Sequence, residues 1–419
     1  MVAETTFTEA ERSALLLQDP SWTEKDYLLI VFAVMIYFGD GVEMYLPGVI
    51  TQVVSCELGV SSLQEGWLGI IQYATIALTV LFAGVLANFG KRRIIVCSLY
   101  CSILFAVLSA VVHNYYTLLL SRALIGVCVG LNICLASLFL VDHVSSHAVY
   151  SLGTSLGSVA VAVGAGWSSI LGYVVLGAMG WRVLLVIASI PVFIPPLVLL
   201  HCFIDTSADR YRDREEEKVE IFVRDPKIRV LKTSLMGFNL GVVGFGSIML
   251  LPTLLRAGNE QVNPLTAGDK CGNAVQGSQL LILAAVHGGA NLVGRLIGAL
   301  LHGRIKFRVL QPILGLVSLV CYGILLVPQG ILVTAVVMGV SKLAYSSMMI
   351  EFMLMVVDPV YSGSANLDKT ASAKHASFYT GAVVGCALAE FISPRYAVIC
   401  TFVVSILQIG VVCSIDRDT

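Results

Sequence analysis

Apolar runs of about twenty residues, bounded by charge, Gly or Pro, recur along the whole chain, and a run of that length crosses the hydrocarbon of a bilayer as one helix. In the first half they fall near 27–50, 67–86, 94–112, 117–141, 148–176 and 181–204, and in the second near 231–256, 278–301, 308–327, 331–357, 375–392 and 395–415. The pattern predicts an all-α membrane protein of about twelve transmembrane helices in two six-helix bundles. Between the halves lies one conspicuously polar stretch, Arg210-Tyr211-Arg212-Asp213-Arg214-Glu215-Glu216-Glu217-Lys218, whose mixed charge reads as a solvated linker with short surface helices. The expected organisation is a tail over 1–26, a bundle over 27–204, a linker over 205–230, a bundle over 231–415 and a tail over 416–419.

Composition agrees with lipid as the main solvent. Of 419 residues 57% are hydrophobic and only 13% charged, and the mean hydropathy of +0.87 is too apolar for an ordinary water-facing surface. A net charge of -1 supplies no global field for nucleic acid. Residues 1–26 lack the basic region and small-residue cleavage site of a signal peptide, so the first helix is expected to direct insertion. Lys and Arg mark the cytoplasmic loops. Lys91, Arg92 and Arg93 follow the second run, Arg210 to Arg229 fill the linker, and Arg304, Lys306 and Arg308 follow the eighth. The opposite loops hold little beyond Arg182, Arg256, Lys270 and Arg395. Both termini are therefore expected in the cytoplasm, with the protein in the plasma membrane or an intracellular vesicle membrane.

Glycines four apart, as at Gly126/Gly130, Gly153/Gly157, Gly237/Gly241, Gly294/Gly298 and Gly381/Gly385, suit close helix crossings in lipid. Prolines such as Pro47 and Pro252 lie within runs, where a kink can serve gating. Of the 11 cysteines most fall inside runs as small apolar residues, while Cys56 and Cys271 are both expected on the non-cytoplasmic side, where a disulfide between them is one candidate pairing.

Ionisable groups inside the runs are the candidate chemistry. Asp40 and Glu43, three residues apart in the first run, share a helix face. Each costs roughly 2.5–3.5 kcal/mol at mid-bilayer. A watery cavity, a cationic substrate, a proton, or a basic partner such as Lys342 or Arg122 would offset that cost, and so would a hydrogen-bonded structural role. Lys342 and Glu351 share the tenth run but lie more than two turns apart, so each needs its own partner. His287, Asn291 and Arg295 form one stripe in the eighth, where His287 is either a proton relay or a structural histidine. Asn132 and Asn239 can touch substrate or join helices, Glu390 reads as interfacial, and Tyr37, Tyr45, Tyr73, Trp167, Phe238 and Phe245 are candidate cavity aromatics. No phosphate-binding GxxxxGK[ST] and no HExxH is present, so neither an enzyme nor a cofactor is expected.

The run Gly84-Val85-Leu86-Ala87-Asn88-Phe89-Gly90-Lys91-Arg92-Arg93 resembles the loop motif between helices two and three of the major facilitator family, with Asn88 where the family carries Asp. A weaker echo, Gly298-Ala299-Leu300-Leu301-His302-Gly303-Arg304, follows the eighth run. Arg122 with Gly126 and Gly130 is similar to that family's fourth helix, and Gly180-Trp181-Arg182 to the start of its sixth. Together with Asp40-Gly41-Val42-Glu43, these features resemble the synaptic vesicle glycoprotein group and its related proteins, near the organic cation and anion transporters. The resemblance implies a major facilitator fold and a conformational gating role for Gly84, Asn88, Gly90, Arg92, Arg93 and Arg122, with the charge latch weakened at Asn88.

The resulting expectation is a monomeric secondary transporter, proton-coupled, gradient-coupled or facilitative, that moves a small organic solute by alternating access. An organic cation is the first candidate solute. Asp40, Glu43, Asn132, Asn239, His287, Asn291 and Lys342 are the expected substrate- or proton-binding residues. The alternative is a non-transporting vesicle-membrane protein that keeps the carrier fold and acts in trafficking or regulation.

Overall fold

The structure is a computed structural model and describes residues 22–144, 147–204, 226–260, 277–302, 304–305, 307–327, 329–357 and 367–415. The described residues form helices and short connections. In chain order the helices are α1 (Glu24–Leu58), α2 (Ser62–Leu86), α3 (Lys91–Val111), α4 (Tyr115–His143), α5 (His147–Cys202), α6 (Pro226–Glu260), α7 (Gly277–Leu283), α8 (Asn291–Leu301), α9 (Phe307–Leu325), α10 (Ile331–Val357), α11 (Leu367–Phe391) and α12 (Pro394–Ile415). A wide π-helical turn, Ala284–Ala290, joins α7 to α8 in one rod. α5 is two helices run together across a break at Gly180, whose φ of 79° a side chain would strain. Nine segments among the described residues are long and apolar enough to cross a membrane, the 55-residue Ala148–Cys202 counted as one. Val309–Leu325 is apolar but shorter.

Local chemistry sets several ends beyond the apolar runs. Thr23 caps α1 through a reciprocal box in which the Asp26 backbone N–H donates to Thr23 Oγ1 at 3.2 Å and the Thr23 N–H donates to Asp26 at 3.0 Å. Gly59, in the left-handed region, stops that helix. Ser61 and Gln64 build the same box at the start of α2. α6 already begins at Pro226, so residues 226–230, expected in the linker, are helical. The expected surface helices of the linker, and both expected tails apart from 22–26, lie outside the described residues.

Helices α1 to α5 pack chiefly among themselves, and α6 to α12 do likewise. The tightest pair in each half is held by glycine. A Cβ on Gly41 would overlap the Val161 backbone of α5, and one on Gly164 the Phe38 and Val42 backbone of α1. In the second half Gly241 and Gly381 play the same parts between α6 and α11, against Phe378 and Phe238. Equivalent helices of the two halves are thus locked by the same device, an internal repeat that the sequence itself shows only faintly. Contacts between the halves run from α2 to α11 and from α5 to the π-helical turn, α8 and α10.

Candidate functional site

Pro47 places the first functional side chains. It has no N–H to give the carbonyl of Glu43 one turn back, and Gln72 of α2 fills that vacancy with its Nε2 at 3.0 Å. Tyr73 donates to the next carbonyl, that of Met44. The helix stays continuous through Pro47, and the substitute bonds fix the turn that carries Asp40 and Glu43.

Both carboxylates are wholly buried. Glu43 Oε2 accepts from Arg122 Nη1 of α4 at 3.2 Å, an ion pair with both partners out of reach of water. Arg122, also expected in the gating motif, sits beside Glu43, the second of the two partners that the sequence left open. Asp40 makes no hydrogen bond among the described residues. Its neighbours are Asn132, Tyr37 of its own helix and Tyr379 of α11. Asn132 Oδ1 accepts from Ser98 of α3, so this amide joins two helices as well as facing Asp40.

A second cluster gathers on Tyr45, where the two halves meet. Asn291 Nδ2 donates to the Tyr45 hydroxyl at 3.3 Å and its Oδ1 accepts from Arg295 Nε at 3.0 Å and Ser346 Oγ at 2.6 Å. Arg295 Nη1 crosses to α5, donating to the Ser158 carbonyl at 2.6 Å. Lys342 Nζ donates to the Gly244 carbonyl at 2.8 Å and Ser247 Oγ at 3.3 Å, and lies 5.4 and 5.0 Å from the ring centroids of Tyr45 and Tyr345. His287 faces the Tyr45 ring, centroids 5.5 Å apart, and neither of its nitrogens is hydrogen-bonded among the described residues. Phe245 is buried among four rings, those of Tyr45 and Tyr73 from the first half and Phe378 and Tyr379 from the second, with centroids 5.1–6.3 Å away.

Not every expected residue joins these clusters. Asn239 is buried in α6 and its amide nitrogen has no partner among the described residues. Trp167 is 43% exposed, which turns it away from any central cavity. Lys342 and Glu351 do find separate partners, Glu351 meeting His302 at 2.7 Å, an ion pair that raises the His302 imidazole above its ordinary range. The loop motif lies at the far ends of α2 and α3. There Gly84 is buried, Asn88 and Arg93 are exposed, and Gly90 turns the chain with φ of 103°. Lys91 pairs with Asp142 of α4 at 2.7 Å and Arg92 Nη2 donates to the Leu200 carbonyl of α5 at 2.9 Å. On the opposite side Glu57 bonds Arg182 and Trp181, which hold its carboxyl below the usual range.

Sequence reasoning gave Arg295 no role beyond its place in a stripe, and it passed over Ser158, Tyr345, Ser346 and Asp142. The stripe His287, Asn291, Arg295 was the visible signal for Arg295, but its acceptors beyond Asn291 are a backbone carbonyl and a hydroxyl of Ser158 that no motif marks. Gly153-Thr154-Ser155-Leu156-Gly157 spells the GxSxG of a nucleophile elbow, a motif that needs a strand-to-helix turn. Here it lies inside α5, with Gly153 against Leu140 and Gly157 against Tyr37, so it is a packing seam. Cys56 is disulfide-bonded. Its candidate partner Cys271 lies outside the described residues.

Comparison with known proteins adds identity. A stretch of 167 residues is 27% identical to the Caenorhabditis elegans protein svop-1, a transporter by name, covering 39% of this chain and 31% of that protein. The chain thus matches about a third of the length of this relative. The family model of the Major Facilitator Superfamily matches residues 29–394, a span that takes in every central residue described above. The chain is a member of the Major Facilitator Superfamily, an integral multi-pass membrane protein.

Proposed function

We propose that this protein is a secondary transporter that crosses the membrane twelve times, α5 contributing two passes, and moves a small organic solute between its two halves by alternating access. The observation that carries the proposal is the enclosed polar centre where α1 and α5 of the first half meet α6, α8 and α10 of the second. Charged and polar groups this deep persist where they meet a solute or an ion. Asp40 is the group of the first half best suited to exchange a proton or a cation. It is enclosed, faces Asn132 and Tyr379, and has no basic partner at ion-pair distance among the described residues. Glu43 and Arg122 form the neighbouring fixed pair, and the loop motif tethers α3 to α4 and α5 on the side expected to face the cytoplasm.

The test is an uptake screen in proteoliposomes across organic anions, organic cations and sugars, with and without an imposed pH gradient. Saturable uptake of one class, lost in Asp40→Asn while the variant keeps the melting temperature of the parent, is the expected result. Absence of saturable uptake in every class would overturn the carrier reading. Full uptake by Asp40→Asn with an unchanged response to the gradient would remove Asp40 from it.

A further inference from the structure

Three basic or potentially basic groups of the second half converge on one tyrosine. Lys342 lies against the Tyr45 ring, Arg295 reaches Tyr45 through Asn291, and His287 faces the same ring. All three are at least nine-tenths buried, at 2%, 4% and 3% exposure. Their electrostatic fields overlap, Arg295 acting on Lys342 and Lys342 on His287. Yet among the described residues none has a carboxylate at ion-pair distance. Lys342 ends on a carbonyl and a hydroxyl, Arg295 on a carbonyl, a hydroxyl and an amide, and His287 on nothing. On α1, Glu43 is already committed to Arg122, and Asp40 faces Asn132 and Tyr379 and forms no ion pair with any of the three basic groups.

Buried cations ordinarily come with a counter-charge, because leaving water is costly for an ion and only an opposite charge returns most of that cost. Here Lys342, Arg295 and His287 have none at ion-pair distance among the described residues. We infer that the counter-charge is the solute: Lys342 and Arg295, with His287 beside them, form the recognition site for a small organic anion, a carboxylate whose body packs on Tyr45, Tyr345 and Phe245. The Arg295 guanidinium offers the flat fork that suits a carboxylate, and Lys342 a compact charge next to it. The aromatic walls suit an apolar or aromatic body more than a sugar. The sign is opposite to the organic cation that the carboxylates of α1 suggest by themselves. The inference rests on the transporter reading, whose substrate class it supplies.

Binding is measured apart from transport so that the two readings fail separately. Purified full-length protein is melted with matched trios that share a skeleton and differ in charge, beginning with benzoate, benzylammonium and benzyl alcohol and extending to acetate-sized and naphthoate-sized sets, each at millimolar concentration. The expected result is a rise in melting temperature with the carboxylate member alone. Lys342→Met and Arg295→Met should each weaken that binding on the order of thirtyfold, while Lys342→Arg, which keeps the charge, should retain the preference for anions even if Met variants fold poorly. A shift with the ammonium members instead, no carboxylate shift in any set, or a carboxylate shift untouched in both Met variants would overturn the site. Carboxylate binding without uptake would leave the site standing and sink the carrier reading, and uptake of a cation without carboxylate binding would do the reverse.

Discussion

Arg122 in the first half and Lys342 in the second are equally hidden from water, but Arg122 meets a carboxylate at 3.2 Å while Lys342 ends on the Gly244 carbonyl, the Ser247 hydroxyl and two aromatic faces. One half has a neutralised ion pair that ties α1 to α4. The other keeps Lys342 and Arg295 without a carboxylate partner where the halves meet. A pair that is already neutral serves the architecture of its own bundle, whereas a charge without a carboxylate partner at the interface between the halves is available to something that comes and goes.

The largest effect expected from this comparison is on the pair. Glu43→Gln or Arg122→Met alone strands the opposite charge in a dry contact and should cost about 3–5 kcal/mol of stability. Combining the two should return most of that loss. Unfolding in detergent measures all three variants, and single variants as stable as the parent would mean that the pair carries no stability and that the contrast between the halves is empty.

Lys342→Met should behave differently, because its acceptors already serve each other. Ser247 Oγ donates to the Gly244 carbonyl at 2.5 Å, so removing the ammonium leaves no orphaned group there. The change should stay within about 1 kcal/mol of the parent, or stabilise it, while uptake falls. A loss as large as that of Arg122→Met would show Lys342 to be a structural tie of α10 to α6 and would take away its availability to a solute.

The same contrast explains what could be read in advance. The apolar runs placed the helices, and Asp40 with Glu43 stood out because charge is rare at that depth. Arg122 was one of two partners open to Glu43, and only the fold could choose it. The apolar run of the eleventh span begins only near 375, after the polar string Thr370-Ala371-Ser372-Ala373-Lys374. That string is itself helical and largely enclosed, with Lys374 Nζ donating to the Met355 carbonyl at 2.8 Å and so capping the end of α10. Arg295 was visible as the third member of a stripe, but its role depends on Ser158 of α5, whose backbone carbonyl looks like any other in the sequence. Partners that are carbonyls far along the chain leave no residue-type signature, and the second half relies on them more than the first.

The smallest effect concerns the loop motif and its echo. In the first half Asn88 is exposed, and in the second the corresponding His302 is ion-paired with Glu351 at 2.7 Å. The hydrogen bond that the His302 ring donates to the Glu351 carboxylate raises the imidazole above its ordinary range. A raised histidine stabilises the fold fully below its unfolded value, about 6.5, and the contribution is lost as pH climbs through the higher folded value. His302 is partly exposed, so the pair is worth about 1 kcal/mol or less. His302→Gln should therefore lower the melting temperature at pH 6 and leave it at the level of the parent at pH 9, while Asn88→Ala should show no such dependence because Asn88 has no charge to lose. If His302→Gln lowers stability equally at both values, the contact is a neutral hydrogen bond, and the motif and its echo differ in packing alone.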